Sequence, residues 1–377
     1  MDKMADVLGR AGAWCGQNKY LSAIKNAFQN FMPLTIAGAI GVLWCNVLVN
    51  DQTGLGLFFK PIMALDFLNP AFQAVNFCTI SCITVGITLG IAQEIGVWNM
   101  GAEKAGYIPG LVGLAAWLSV TNTSHMVEGA KEAFTGIAGN ELGATGLFTG
   151  MIIGVLSVEL FCFFEKQDAL KIKMPPGVAR AFEVLVPATI TLIITACIGS
   201  ACYNLTGLYL NDVIKNGIQG PLGAVGATIP GVMIIYLVIM LFWLVGIHGN
   251  NMLSAVKEAL FTPLALENVE KFNKGEKPTN IINMYFLQMC GEFGGSGVTI
   301  GLVIAIMIFG KREDNKAIAS LSLVPGLFNI NETVTFGIPM VLNPILGIPF
   351  VFACLVTILV GYVLTVIGFC PVACLTV

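Results

Sequence analysis

The stretch FNINETVTFGIPMVLNP, Phe328 to Pro344, places one carboxylate, Glu332, in a segment otherwise fit to dissolve in lipid. Between Lys316 and Val377 it is the only charged side chain. An ionisable group at bilayer depth costs at least about 2.5–3.5 kcal/mol, so it is expected where protein or water lines a substrate or ion path. The uncharged run after it is not one helix on a sequence reading. Asn343 and Pro344, then Gly347 and Pro349, interrupt it, and proline removes a helix hydrogen bond and crowds the preceding turn. A short re-entrant hairpin to about Pro344, then a span from Phe350 to Gly368, is the expectation.

The whole chain agrees with that local reading. Only 11% of its 377 residues are charged and 56% are hydrophobic, with a mean hydropathy of +0.83, which excludes a soluble domain with an ordinary charged surface. Stretches able to cross roughly 30 Å of hydrocarbon lie near Phe31–Val49, Ala74–Ala92, Tyr107–Val120, Gly143–Val158, Val184–Tyr203 and Ile229–Gly246. The third is short enough to be tilted, broken or partly re-entrant. The fold class is therefore an all-α polytopic integral membrane protein.

A net charge of −3 and the lack of a basic stripe set nucleic acid aside as a partner. The 11 cysteines fall mostly in apolar runs, without a CxxC pair or a histidine at ligand spacing. They read as small buried hydrophobes rather than metal or redox groups. Cys78 and Cys82, and Cys370 and Cys374, are spaced to share helix faces but lack further ligands. No metal or cofactor is expected.

Lys3, Arg10, Lys19 and Lys25 precede the first span, while Lys166, Lys171, Lys173 and Arg180 follow the fourth. The positive-inside rule puts both segments in the cytoplasm, with four crossings between them. No cleavable signal peptide is evident, and residues 1–30 read as a cytoplasmic segment with an amphipathic helix lying in the interface. The polar, glycine-rich connector NDVIKNGIQGPLGAVGA, Asn211 to Ala227, divides a first domain, 31–211, from a second, 212–377. Beyond it, Lys257, Lys271, Lys274 and Lys277 form one basic segment and Lys311, Arg312 and Lys316 another. One ordinary span cannot join two cytoplasmic segments. The intervening GEFGGSG, Gly291 to Gly297, is too rich in glycine for an uninterrupted helix, so a broken or re-entrant segment is expected there, its free backbone groups available to a ligand.

Three polar constellations interrupt this half. Trp243 is followed by GIHGNN, in which His248 stands beside Asn250 and Asn251. A histidine at a helix end is often structural, and a tryptophan at that depth often a membrane anchor, but the flanking glycines and amides favour a binding role. GEFGGSG offers Gly295 and Ser296 as ligands if the helix breaks there, or close helix packing if it does not. NINE sets Asn329 and Asn331 beside Glu332, which together supply the donors and acceptors that sugar hydroxyls need. A buried network pinning a hairpin is the competing reading. The three together point to a transporter for a polar, uncharged solute. No Walker A sequence is present, so nothing points to ATP hydrolysis by the chain itself.

The combination of FNINETVTFGIPMVLNP, FWLVGIHGNN, GGSG and the early NKYLSAIKNAFQNFMPLTIAGAI resembles the enzyme IIC permeases of bacterial sugar phosphotransferase systems, in the lactose, cellobiose and diacetylchitobiose branch. The resemblance runs from residue 18 to the end. It implies a homodimer in the bacterial cell membrane, with an N-terminal oligomerisation domain and a C-terminal transport domain that moves as an elevator. It implies about ten spans, the last of them missing here. It also implies a partner, cytosolic phosphorylated enzyme IIB with IIA upstream, which phosphorylates the translocated disaccharide. Carried over by position, Glu332 and His248 become the catalytic pair that binds and orients the acceptor hydroxyl, with Glu332 the general base. Where the family usually has proline after this glutamate, the chain has Thr333. An ion-coupled elevator carrier, with Glu332 binding H⁺ or Na⁺, and a sugar sensor that moves nothing are the competing functions.

Overall fold

The computed structural model describes residues 10, 13–14, 17–51, 55–125, 134–143, 145–172, 175, 179–244, 247–327, 329–338, 340 and 343–374. Its regular elements are helices, apart from a two-residue antiparallel strand pair, Ser124–His125 with Phe134–Thr135. Two compact units divide between Pro221 and Leu222, inside the polar connector.

The unit from Lys19 to Pro221 contains α1 (Lys19–Leu43), α2 (Asn69–Cys78), α3 (Ile83–Met100), α4 (Ile108–Val120), α5 (Leu147–Glu165) and α6 (Ala179–Thr206). α3 packs against α1, α4 and α5. Its buried residues Ile83, Ile87, Ile91 and Ile95 recur every four positions, which sets them along one face. In lipid the outward face is apolar as well, so close approach depends on small residues. A Cβ on Gly113 would collide with that of Ala92, and one on Gly150 with Thr88 Oγ1. Leu156 on α5 and Ile193 on α6 are exposed at 60% and 57%, as lipid-facing side chains are.

Among the described residues, five helical segments are long and apolar enough to cross a membrane, or six if the bent pair Leu210–Gly226 and Ile229–Leu244 is one span. Several boundaries differ from the sequence reading. The expected interfacial helix and the first span form one continuous α1, with Pro33 inside it. The second apolar run breaks at Thr79 and resumes through Met100, and α5 runs seven residues past Val158. The extension, ELFCFFE, is apolar apart from two carboxylates, and both are ion-paired, Glu159 with Lys19 and Glu165 with two cations. Glu165 is fully buried, with Lys104 Nζ at 2.9 Å and Arg180 at 3.1 Å. Truncating Glu165 to Ala should lower the melting temperature. The loss should fall below the ~3–5 kcal/mol of a wholly buried pair, because the Lys104 side chain is 48% exposed.

The second unit includes Leu222–Val377 and holds α7 (Ile229–Leu244), α8 (Gly249–Asn273), α9 (Met284–Cys290), α10 (Thr299–Phe309), α11 (Glu313–Leu327), α12 (Glu332–Gly337) and α13 (Pro344–Val366). α7 packs on α8 and α13, α9 on α8 and α13, and α10, α11 and α12 on one another. Glu313 and Asp314 occupy the first turn of α11, where negative charge suits the helix dipole. Arg312 hydrogen-bonds the exposed Asp314 and holds its carboxyl below the ordinary range.

The expected break at GEFGGSG is present between α9 and α10. At about 1.5 Å per residue, the seven residues of α9 and eleven of α10 each fall well short of a ~30 Å core. The start of α9 is tied down by asparagines. Asn283 caps it by accepting from the N–H groups of Tyr285 and Phe286. Fully buried Asn268 on α8 accepts from the N–H groups of Thr279 and Asn280, and both asparagine side chains donate to the carbonyl of Ala373.

The sequence reading of the last span starts too late. Pro344 opens α13 at its first position, with Asn343 accepting from the N–H groups of Ile345 and Leu346. A first-position proline loses nothing, because its N–H would have had no helical partner. Pro349 sits inside the helix without ending it. Neither cysteine pair shares a helix: Thr79 breaks the chain between Cys78 and Cys82, and Cys370 and Cys374 lie beyond α13.

Candidate functional site

The site residues of the second unit come from three places: the α7–α8 junction, the turn between α9 and α10, and the approach to α12. At the junction, the Trp243 and His248 rings lie 4.4 Å apart, centroid to centroid, tilted by 47°. Trp243 is buried and His248 half-buried. His248 precedes α8 and its carbonyl accepts from Met252 N–H. Gly249 is required next to it, since a Cβ there would strike the Ile239 carbonyl on α7.

Asn250, in the first turn of α8, donates from Nδ2 to Ser296 Oγ at 2.9 Å. Asn331 Nδ2 donates to the Ser296 carbonyl at 2.7 Å. Ser296, itself 3% exposed, is thereby clamped between two asparagines that lie on either side of it in sequence. Asn329 adopts a left-handed backbone, φ 61°, which asparagine tolerates better than most residues, and its Oδ1 accepts from Gly294 N–H at 2.8 Å. Gly295 is left-handed too, with φ +91°, and a Cβ on it would sit 2.5 Å from that of Asn331. The turn and the NINE segment thus interlock through backbone and amide groups.

Of the residues singled out from sequence, the structure joins Asn250, Ser296, Asn329, Asn331 and Gly295 in one network, and pairs Trp243 with His248. Asn251 lies on α8 and Glu332 opens α12, but the side chains of both lie outside the described part of the structure. Thr333 follows within α12, where a backbone N–H has no intrahelical acceptor.

Lys257 differs from the other lysines of its basic segment: its side chain is 7% exposed and ion-paired with Glu292 Oε1, which also accepts from Tyr236 Oη at 2.7 Å. Lys257 Nζ reaches Asn250 Oδ1 at 3.4 Å. The sequence held a signal for this. Lys257 ends a run from Asn216 to Val256 that carries no charged side chain, and it stands seven residues after Asn250, two turns along the same helix face. Tyr236 likewise precedes Trp243 by seven. Among the described residues no three His, Cys, Asp or Glu side chains group as metal ligands would.

A family model for the phosphotransferase system EIIC component matches residues 25–354. The chain belongs to that family. It is 32% identical to the oligo-beta-mannoside-specific EIIC component of Bacillus subtilis (strain 168), over 98% of this chain and 83% of that protein. It is 31% identical to the lactose-specific EIICB component of Staphylococcus aureus (strain COL), over 91% of this chain and 58% of that longer protein. The crystal structure of the transporter ChbC, the IIC component of the N,N'-diacetylchitobiose-specific system, superposes with a TM-score of 0.86 at 27% identity, covering 97% of this chain and 85% of that one. This EIIC protein is thus a multi-pass membrane permease component, as the sequence motifs indicated.

Proposed function

We propose that this EIIC protein translocates a β-linked disaccharide, of the diacetylchitobiose, cellobiose or lactose kind, and presents one of its hydroxyls to phosphorylated IIB. The observation that carries the reading is the amide and hydroxyl network of Asn250, Ser296, Asn329 and Asn331, built beside an aromatic pair in a membrane-embedded unit. Amides and a hydroxyl bind polyols without selecting for charge, and aromatic faces suit sugar rings. The relatives whose names print a β-mannoside, a lactose or a diacetylchitobiose specificity support that substrate class, and the EIICB name of one supports a B component as partner.

In the proposed reaction the sugar hydroxyl oxygen attacks phosphorus on the IIB phosphocysteine. The P–S bond breaks, the O–P bond forms, and the hydroxyl proton passes to Glu332. Transfer through a loose transition state depends mostly on alignment and charge placement. That division of labour leaves the acceptor side to this chain, with His248 orienting the hydroxyl and the phosphate held by IIB. The unit from Lys19 to Pro221 would supply the homodimer interface, and the unit containing Leu222–Val377 would carry the sugar as a moving body, with the N-terminus in the cytoplasm.

Mass analysis of sugar recovered from vesicles, with and without phospho-IIB, tests the function. Phosphorylated sugar that appears only with phospho-IIB is expected. Free sugar accumulating without IIB, driven by an ion gradient, would instead establish the ion-coupled carrier, which EIIC membership disfavours. For His248→Ala, binding measured in detergent should weaken about tenfold or more along with turnover, as expected when a hydrogen bond and a ring contact are both lost; unchanged affinity would remove His248 from the site.

A further inference from the structure

We propose that the buried Lys257–Glu292 pair is a positioning device that fixes which way the Asn250 amide faces and so leaves the Ser296 hydroxyl free to donate to the sugar. The proposal rests on the sugar-site reading above. The two ends of an asparagine amide have nearly the same shape and opposite hydrogen-bonding character. An ammonium group has donors only, so the end of Asn250 facing Lys257 Nζ is its oxygen, at 3.4 Å. The NH₂ end must then face Ser296, and it donates to Oγ at 2.9 Å. A serine hydroxyl that accepts from an amide has its single proton to spend elsewhere. If the amide turned over, Oδ1 would take that proton and Ser296 would present only lone pairs.

The rest of the cluster explains how the ammonium is held. Glu292 Oε1 bonds Lys257 and accepts from Tyr236 Oη, and the Tyr236 ring centroid lies 5.7 Å from Nζ. Glu292 stands four residues before Ser296 in the broken segment, so one ion pair couples α7, α8 and the α9–α10 turn. The Ser296 backbone is fixed separately, through Asn331. Through Asn250, Lys257 therefore acts on the side chain of Ser296 as well as holding the turn through Glu292.

Lys257→Met alone leaves Glu292 without its cation and is expected to destabilise the protein, so the decisive variant is the double Lys257→Met/Glu292→Gln. It removes both charges at similar volume, and its melting temperature should return close to that of the parent. Its disaccharide dissociation constant should stay raised about tenfold, the scale of one well-aligned hydrogen bond. The apparent KM should rise with it, while kcat at saturating sugar changes by less than about threefold, since the step at Glu332 is untouched. A double variant that regains stability and also binds with parental affinity would overturn the proposal and leave the sugar site standing. A parent protein that binds none of diacetylchitobiose, cellobiose or lactose would overturn the sugar-site reading, and this proposal with it.

Discussion

Glu332→Gln is expected to reduce phosphorylation of the sugar by phospho-IIB by roughly 10²–10⁴-fold, the usual contribution of a positioned general base, while the protein remains folded and binds sugar. Glutamine keeps the size and a hydrogen-bonding oxygen but cannot take a proton at neutral pH. The motivation is the chain's own chemistry: Glu332 is the one charge in the last 61 residues, it follows directly on the asparagine that clamps Ser296, and an intramembrane carboxylate is retained against its desolvation cost. Single-turnover transfer from phospho-IIB in proteoliposomes, read beside equilibrium binding, separates the two steps. A transfer rate within twofold of the parent's would remove Glu332 from the proton-accepting role.

Gly295→Ala should have the second-largest effect, and through a different route. The position has φ +91° and a Cβ there would sit 2.5 Å from Asn331 Cβ. The left-handed backbone costs a side chain about 1–2 kcal/mol, and forcing a methyl group into a filled space adds about 1–3 kcal/mol. A loss of about 2–4 kcal/mol in stability is expected, together with loss of sugar binding, because relief of the clash moves the asparagine that holds Ser296. Gly301→Ala is the control: it lies in α10 with nothing within 4 Å of a new Cβ, and alanine in a helix interior is worth about 0.5–1 kcal/mol over glycine. If the two variants melt and bind alike, the interlock of the turn with the NINE segment is not what shapes the site.

Both predictions start from residues that stood out in the sequence, for different reasons. Glu332 is visible because charge in a lipid-soluble stretch is an anomaly that needs no partner to be noticed. Gly295 is visible only as one of several glycines, and its individual requirement comes from Asn331, which approaches from a segment far along the chain. Lys257 shows the opposite failure. Its charge was counted with Lys271, Lys274 and Lys277 because all four follow one another in a polar stretch, whereas burial and Glu292 set it apart. The span boundaries shifted for a related reason. The reading of α5 stops before the first charge, Glu159, yet the helix runs on through apolar residues to Glu165, both carboxylates being paired, and Pro344 and Pro349, read as interruptions, stand at the start of α13 and inside it.

By itself the sequence determined the membrane class, the broken segment at GEFGGSG and the polar clusters of the second half, because each is written in local composition: low charge, apolar length, clustered glycine and amides amid hydrocarbon; the family was legible only through the resemblance of its motifs. The tertiary structure alone decided how those residues face one another. Asn250 meets Ser296 across 46 residues and Asn331 meets it across 35, and which end of an amide is turned toward which neighbour depends on a lysine that local pattern grouped with three others of a basic segment. In a helical membrane protein the apolar faces look alike whether they meet lipid or another helix. The directional information that builds the site resides in a few long-range hydrogen bonds, which become visible only once the chain is folded.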